Sequence, residues 1–180
     1  WSIVKSRETM SCKLDRPLAC GKGDVRMFSV GDQVCYPMHG VGVVEKIEER
    51  TVLGETAQYY VLRFISNKMT ALVPVATAKN VGLRPVIGEE ECKGVLEYLQ
   101  SEPCKESDNW NQRYRDNFAK LKQGDIYDVA DVVKCLKKRD TDRGLSAGER
   151  KMLMTARQVL IAELSAASGQ DSASLRDMMD

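Results

Sequence analysis

The sequence has one histidine, His39, no C-x-x-C pair, and no apolar run that approaches membrane-spanning length. Each shortage removes a class of function. A structural zinc site takes paired ligands, typically about two to four residues apart. The six cysteines, Cys12, Cys20, Cys35, Cys92, Cys104 and Cys135, are scattered instead. No metal is therefore expected, and the cysteines read as reduced intracellular thiols. Without an apolar span or a recognisable secretory signal, no membrane role is expected. The net charge is only +1, so any polyanion surface must come from local clustering of the 27 Lys and Arg.

What is present is a soluble-type composition, 43% hydrophobic and 29% charged over 180 residues. Residues 1–26 show no apolar periodicity and read as a poorly ordered extension. From Phe28 the pattern becomes β-like. Val43–Ile47, Gln58–Phe64 and Met69–Val75 read as short strands, with turn signals at Gly31-Asp32, Leu53-Gly54-Glu55 and Asn67-Lys68. Short strands at this spacing predict a small twisted sheet or SH3-like barrel. Gly40-Val41-Gly42 lacks the third glycine of a dinucleotide site and the Gly-Lys-Ser/Thr of a phosphate loop, so these are turn glycines. His39 has no Cys, Ser or acid arranged beside it for nucleophilic chemistry and reads as a turn or packing residue. No catalytic residue and no cofactor are expected.

Beyond Gly88 the periodicity becomes helical. Cys92, Val95, Leu96 and Leu99 mark one helix, which Pro103 ends. Trp110, Tyr114, Phe118 and Leu121 mark a second, with Asp108 or Asn109 as N-cap and Gly124 as its stop. Ile126, Val129, Ala130, Val133 and Leu136 mark a third, with Lys134, Lys137, Lys138 and Arg139 gathered towards its end. Ser146-Ala147-Gly148-Glu149 has the form of a capping box before a last long helix. After Ser165 the composition predicts a fraying tail. The expected class is α+β: a β module at 27–84, a helical module of about four helices at 85–166, and a disordered tail at 167–180.

Trp110 in a first helical turn, near Arg113 and Arg115, admits two readings. The indole packs in a helical core with solvated arginines around it, or it stands proud as an apolar wedge beside phosphate-binding cations. The Lys138-Arg139 end likewise reads either as a solvated helix terminus, suited to the helix dipole, or as part of that surface.

The series F-S-V-G-D-Q-V-C-Y-P-M-H-G-V-G-V-V-E, V-L-R-F, L-V-P-V, D-N-W-N-Q-R-Y-R-D-N and R-D-T-D-R-G-L-S-A-G-E-R-K-M-L, in that order, closely resembles the CarD/CdnL family of bacterial transcription regulators. The resemblance covers Met27 to about Leu164. It implies a Tudor-like domain that docks on the β subunit of RNA polymerase, followed by a helical domain at the upstream edge of the promoter bubble. It implies that Trp110 wedges into the minor groove and stabilises the open complex, with Arg115, Arg139 and Arg150 near the DNA. It places Arg50 and Val52 at the polymerase contact. Leu72 stands where some members have a second basic residue. The implied setting is cytoplasmic and nucleoid-associated, as a monomer, on promoter DNA with the housekeeping sigma-factor holoenzyme. The alternative is an adaptor that binds polymerase or another protein without touching DNA. No helicase motif follows the β module, unlike in the transcription-repair coupling factor.

Overall fold

The structure is a computed structural model that describes residues 28–52, 54–66, 68–101 and 107–179. The expected N-terminal extension, Met27, the turn residues Leu53 and Asn67, the Pro103 stop and Cys104 lie outside the described residues.

Strands β1 (Gln33–Tyr36), β2 (Gly40–Val52), β3 (Glu55–Phe64), β4 (Thr70–Pro74) and β5 (Arg84–Pro85) form one antiparallel sheet in the order β4-β3-β2-β1-β5. Phe28, Val34, Val44, Tyr60, Leu62 and Val73 are buried together and make its core. The β2–β3 pair is longer than the hydrophobic pattern predicts. Glu45–Val52 is mostly polar, yet residue-by-residue pairing runs out to Val52↔Glu55. β1 covers β2 only as far as Val43, and β4 covers β3 only between Tyr59 and Arg63. The outer part of the hairpin is therefore a two-stranded ribbon held by backbone hydrogen bonds rather than by burial.

Five helices follow: α1 (Glu89–Gln100), α2 (Trp110–Gln123), α3 (Ile126–Arg143), α4 (Ala147–Ser168) and α5 (Ser172–Met179). The result is the expected α+β fold, a Tudor-like β domain followed by a helical domain. The tail expectation for 167–180 is overturned. α5 forms there, and its Leu175 and Met179 are buried against the helical core. Four apolar residues in eight, one of them an alanine, gave too short a stripe to register as periodic. Lys134, expected on a solvated helix end, is instead buried. Its ammonium lies 3.9 Å from the centre of the Tyr98 ring and donates to Ser101 Oγ at 2.7 Å. Tyr98 in turn donates to Asp131 at 3.1 Å, which ties α1 to α3.

The two modules meet along α4. Glu163, fully buried on that helix, accepts from both terminal nitrogens of Arg84 on β5, with Nη2 2.9 Å from Oε2. The Cys35 thiol on β1 donates to the same carboxylate at 3.4 Å. Burial pushes the Cys35 thiol up to about 12, with Glu163 adding to the effect, so it stays a protonated donor.

Candidate nucleic-acid interface

Asn109 caps α2, its side chain accepting from the Gln112 backbone N–H at 3.2 Å. Trp110 is the first helical residue after it. Of the four residues on the predicted face, only Leu121 is fully buried, and Tyr114 packs partly buried against the same core. Trp110 is 45% exposed and Phe118 is exposed as well. The rings stack along the outside of the helix. Trp110 and Tyr114 centroids lie 5.5 Å apart at 27°, and Tyr114 and Phe118 6.3 Å apart at 7°. Tyr114 rests on α4 at Gly148, where a Cβ would come within 3.3 Å of its ring. The indole Nε1–H donates to Ser146 Oγ at 3.1 Å. Trp110 thus presents an exposed ring whose orientation is fixed from two sides.

Ser146 is held in turn. It is the N-cap of α4 and forms the full capping box with Glu149, as the S-A-G-E motif predicts. Its hydroxyl donates to Glu149 Oε2 at 2.8 Å, and its N–H does so at 3.1 Å. The other carboxylate oxygen of Glu149 accepts from Arg113 Nε at 2.9 Å and Nη2 at 2.8 Å. Arg113 also donates through Nη1 to the Ser107 carbonyl at 2.8 Å. This corrects the expectation for Arg113. It is 2% exposed and turned inward, so it is not a phosphate contact. Sequence spacing placed it near Trp110 and could not reveal which way it faced. Burial pushes the Glu149 carboxyl up, but hydrogen bonds from Ser146 and Arg113 outweigh this and hold it below the usual carboxylate range.

The remaining cations fall in two places. Arg139, near the end of α3, is partly exposed with its Nε 3.9 Å from Glu149 Oε1. Arg150 is exposed in the first turn of α4, next to Glu149. Trp110, Arg139 and Arg150 therefore gather around one helix N-terminus, although they come from three helices. Lys138 is exposed beside Arg139. Arg115 is exposed, but five residues after Trp110 it lies on another side of α2. There it donates to the Asn111 carbonyl at 3.3 Å and to Gln112 Oε1 at 3.4 Å. The structure does not bring Arg115 onto the aromatic stack. The parts that Ser146 and Tyr114 play in holding the indole were not foreseen from the sequence. The capping-box motif was visible, but not that its hydroxyl seats an indole 36 residues away.

On the β module, register decides which side chains share a face. Val44 pairs with Leu62 and Lys46 with Val61, so Glu45 is an extra residue, a β-bulge. Past the bulge, Arg50 and Val52 alternate with the core-facing Ile47 and project with Lys46 and Glu48. Leu72 pairs with Val61 and so projects on that face too. Val52 and Leu72 are 47% and 43% exposed. Arg50 forms an ion pair with Glu48, which also meets Lys46 at 2.6 Å. Hydrogen bonding from Lys46, with Arg50 behind it, holds the Glu48 carboxyl below its usual range. Among the described residues no cluster of His, Cys, Asp or Glu could hold a metal ion, and no helix is long and apolar enough to cross a membrane.

Comparison with known proteins matches this two-part build. Residues 28–87 match the family model for the CarD-like/TRCF RID domain, and residues 94–180 match that for the CarD C-terminal domain. A Bacillus subtilis (strain 168) protein named "Putative transcription factor YdeB" is 38% identical over 143 residues, which is 79% of this chain and 94% of that protein. The order of the two matched domains, and the near full-length relative that shares it, place the chain in the CarD family of transcription factors.

Proposed function

We propose that the chain is a non-catalytic regulator that docks on the RNA polymerase β subunit through the β2–β3 ribbon and stabilises the promoter open complex through Trp110. The observation that carries this reading is an exposed indole with a fixed orientation, placed beside cations at a helix N-terminus. A wedge at a base step needs a ring that projects and does not collapse onto its own helix. Arg139, Arg150 and Lys138 are the phosphate contacts, and Arg115 reaches backbone further along α2. The ribbon edges beyond Val43 and below Tyr59 carry no further strand among the described residues, which suits edge-strand addition from the partner. Arg50, Val52 and Leu72 flank that edge on one face. The test is the lifetime of open complexes on a ribosomal RNA promoter after heparin challenge, with and without the protein. An unchanged lifetime together with an unchanged footprint at the upstream bubble edge would sink the proposal.

Two expected outcomes follow from the side-chain positions. Arg50→Glu should abolish capture of the isolated β lobe by the full chain and leave the thermal midpoint within about 2 °C, since exposed substitutions change stability by only about 0.5 kcal/mol. Undiminished capture would remove Arg50 from the contact. Arg150→Ala and Lys138→Ala should each lower the slope of log affinity against log salt by about one unit and weaken all promoters alike. A change in promoter preference at constant slope would make them base readers instead. Arg139 is less clean for this measurement, because it also leans on the buried Glu149 carboxylate.

A further inference from the structure

We infer that Arg84 and Glu163 are positioning residues that lock the polymerase-facing sheet and the wedge helix α2 into one body, so that docking sets where Trp110 meets DNA. This rests on the proposed function and adds to it a requirement on geometry between the two sites.

Arg84 stands on β5, at the edge of the sheet, and reaches two helices at once. Its fork meets Glu163 on α4, while its Nε and Nη2 donate to the Gly124 carbonyl at 3.1 and 2.8 Å. Gly124 is the left-handed C-cap of α2, the helix that begins at Trp110. One guanidinium therefore connects the sheet directly to the far end of the wedge helix. The seam around it is closed. A Cβ at Gly124 would fall 2.7 Å from Pro37 Cγ, and one at Gly82 would fall 2.8 Å from the same atom. Pro37 follows directly after β1, so the sheet abuts the α2 C-cap with no room for a side chain between them.

A seam of apolar contacts alone would hold the modules together while allowing them to slide. A planar fork with several directed hydrogen bonds also fixes rotation. The lever arm makes rotation matter. α2 has 14 residues, so its ends lie about 20 Å apart. A swing of about 10° at Gly124 would move Trp110 by about 3.5 Å, which is one base step along a strand. Rotational play of that size would put the indole against the wrong step.

The experiment uses the full chain with polymerase holoenzyme. Probes introduced as non-canonical amino acids at Glu49 and Asn111, both exposed, report the distance from ribbon to wedge by pulsed EPR. The variants are Glu163→Gln, which keeps shape and removes the charge, and Arg84→Lys, which keeps charge and removes the fork. For Arg84→Lys the chain should stay folded and capture of the β lobe should be unchanged. Its distance distribution should broaden and the open-complex lifetime should fall about fivefold or more, a loss that a small stability change would not produce in a folded chain. Glu163→Gln should do the same wherever it folds. A distribution as narrow as wild type in folded Arg84→Lys would overturn the inference, as would a broadened one with a wild-type lifetime. If the wild-type chain itself failed to lengthen the lifetime, the proposed function would fall. The width of the distribution would then decide the clamp alone.

Discussion

Trp110→Ala is expected to shorten the open-complex lifetime by about tenfold or more and to lower the thermal midpoint by only about 2–12 °C. A tryptophan fully enclosed in a core would behave in the opposite way, costing roughly 3–5 kcal/mol of folding stability on truncation. Here the ring is 45% exposed. What truncation removes from the folded state is one stack on Tyr114, about 0.5–1.5 kcal/mol, and one hydrogen bond to Ser146 of similar size. Under the proposed function, the wedge interaction forms only once the DNA is distorted and must offset unstacking of about a few kcal/mol. Its loss therefore belongs to the melted complex and hardly to the closed one. Trp110→Phe separates wedge from orientation. It keeps a ring on Tyr114 and removes the Nε1–H donor, so an intermediate lifetime is expected. A large fall in the midpoint of Trp110→Ala with an unchanged lifetime would return the residue to a packing role.

Glu149→Ala should have the largest effect on stability. It strands the Arg113 guanidinium, which is 2% exposed, without its carboxylate, at a cost of about 3–5 kcal/mol. It also removes one half of the α4 capping box, worth about 1 kcal/mol more. Together these predict a fall in thermal midpoint of roughly 10–20 °C. Removing both charges in Arg113→Met/Glu149→Leu should be much milder, because no uncompensated charge is left behind. A double variant as unstable as the single one would mean that packing, not the stranded charge, dominates. The same pair gives a pH signature. Because the folded Glu149 carboxyl is held below its ordinary 4.5, its contribution is fully present above that value and is lost as pH falls through the lower folded one. Wild type should therefore lose midpoint on acidification below about 4.5, and the Glu149→Gln variant should lack that part of the loss.

The two modules, four of the five helices and the caps at Asn109, Ser146 and Gly124 were legible because each rests on local signals: a periodic stripe, an N-cap residue, a left-handed glycine. The polar half of β2 was not. The expected strand ends at Ile47; residues 48–52 carry little that alternates with burial, and their strand is maintained by its partner. α5 is short, and its two buried residues count only because α4 lies beneath them. The place of Trp110 in the first turn of α2, and so its exposure, was legible from the sequence. The inward turn of Arg113 depends on Glu149, 36 residues later, and on a helix crossing that spacing does not encode. The clamp at Arg84 was equally invisible, since the groups it joins, the Gly124 carbonyl that ends α2 and Glu163 on α4, lie 40 and 79 residues further along the chain.

The extra residue at Glu45 makes the face that the ribbon presents for the proposed docking a question of parity. Were Glu45 paired in the ladder rather than bulged out of it, even-numbered positions beyond Val44 would continue on the core side, and Arg50 and Val52 would point with Val44 rather than with Leu72. Composition would be untouched, and so would every residue at the contact. Deleting Glu45 would therefore straighten the ladder and leave Ile47 and the contact residues on their present faces, whereas inserting one residue between Val61 and Leu62 to pair with Glu45 would invert the ribbon, turning Ile47 outward and the contact residues inward. Two residues added to each arm of the hairpin near its tip would lengthen its reach by about 7 Å and keep the face. Among sequences of this kind, a one-residue change that removes the bulge keeps the face, one that gives the bulged residue a partner exchanges it, and an even change in both arms only extends it.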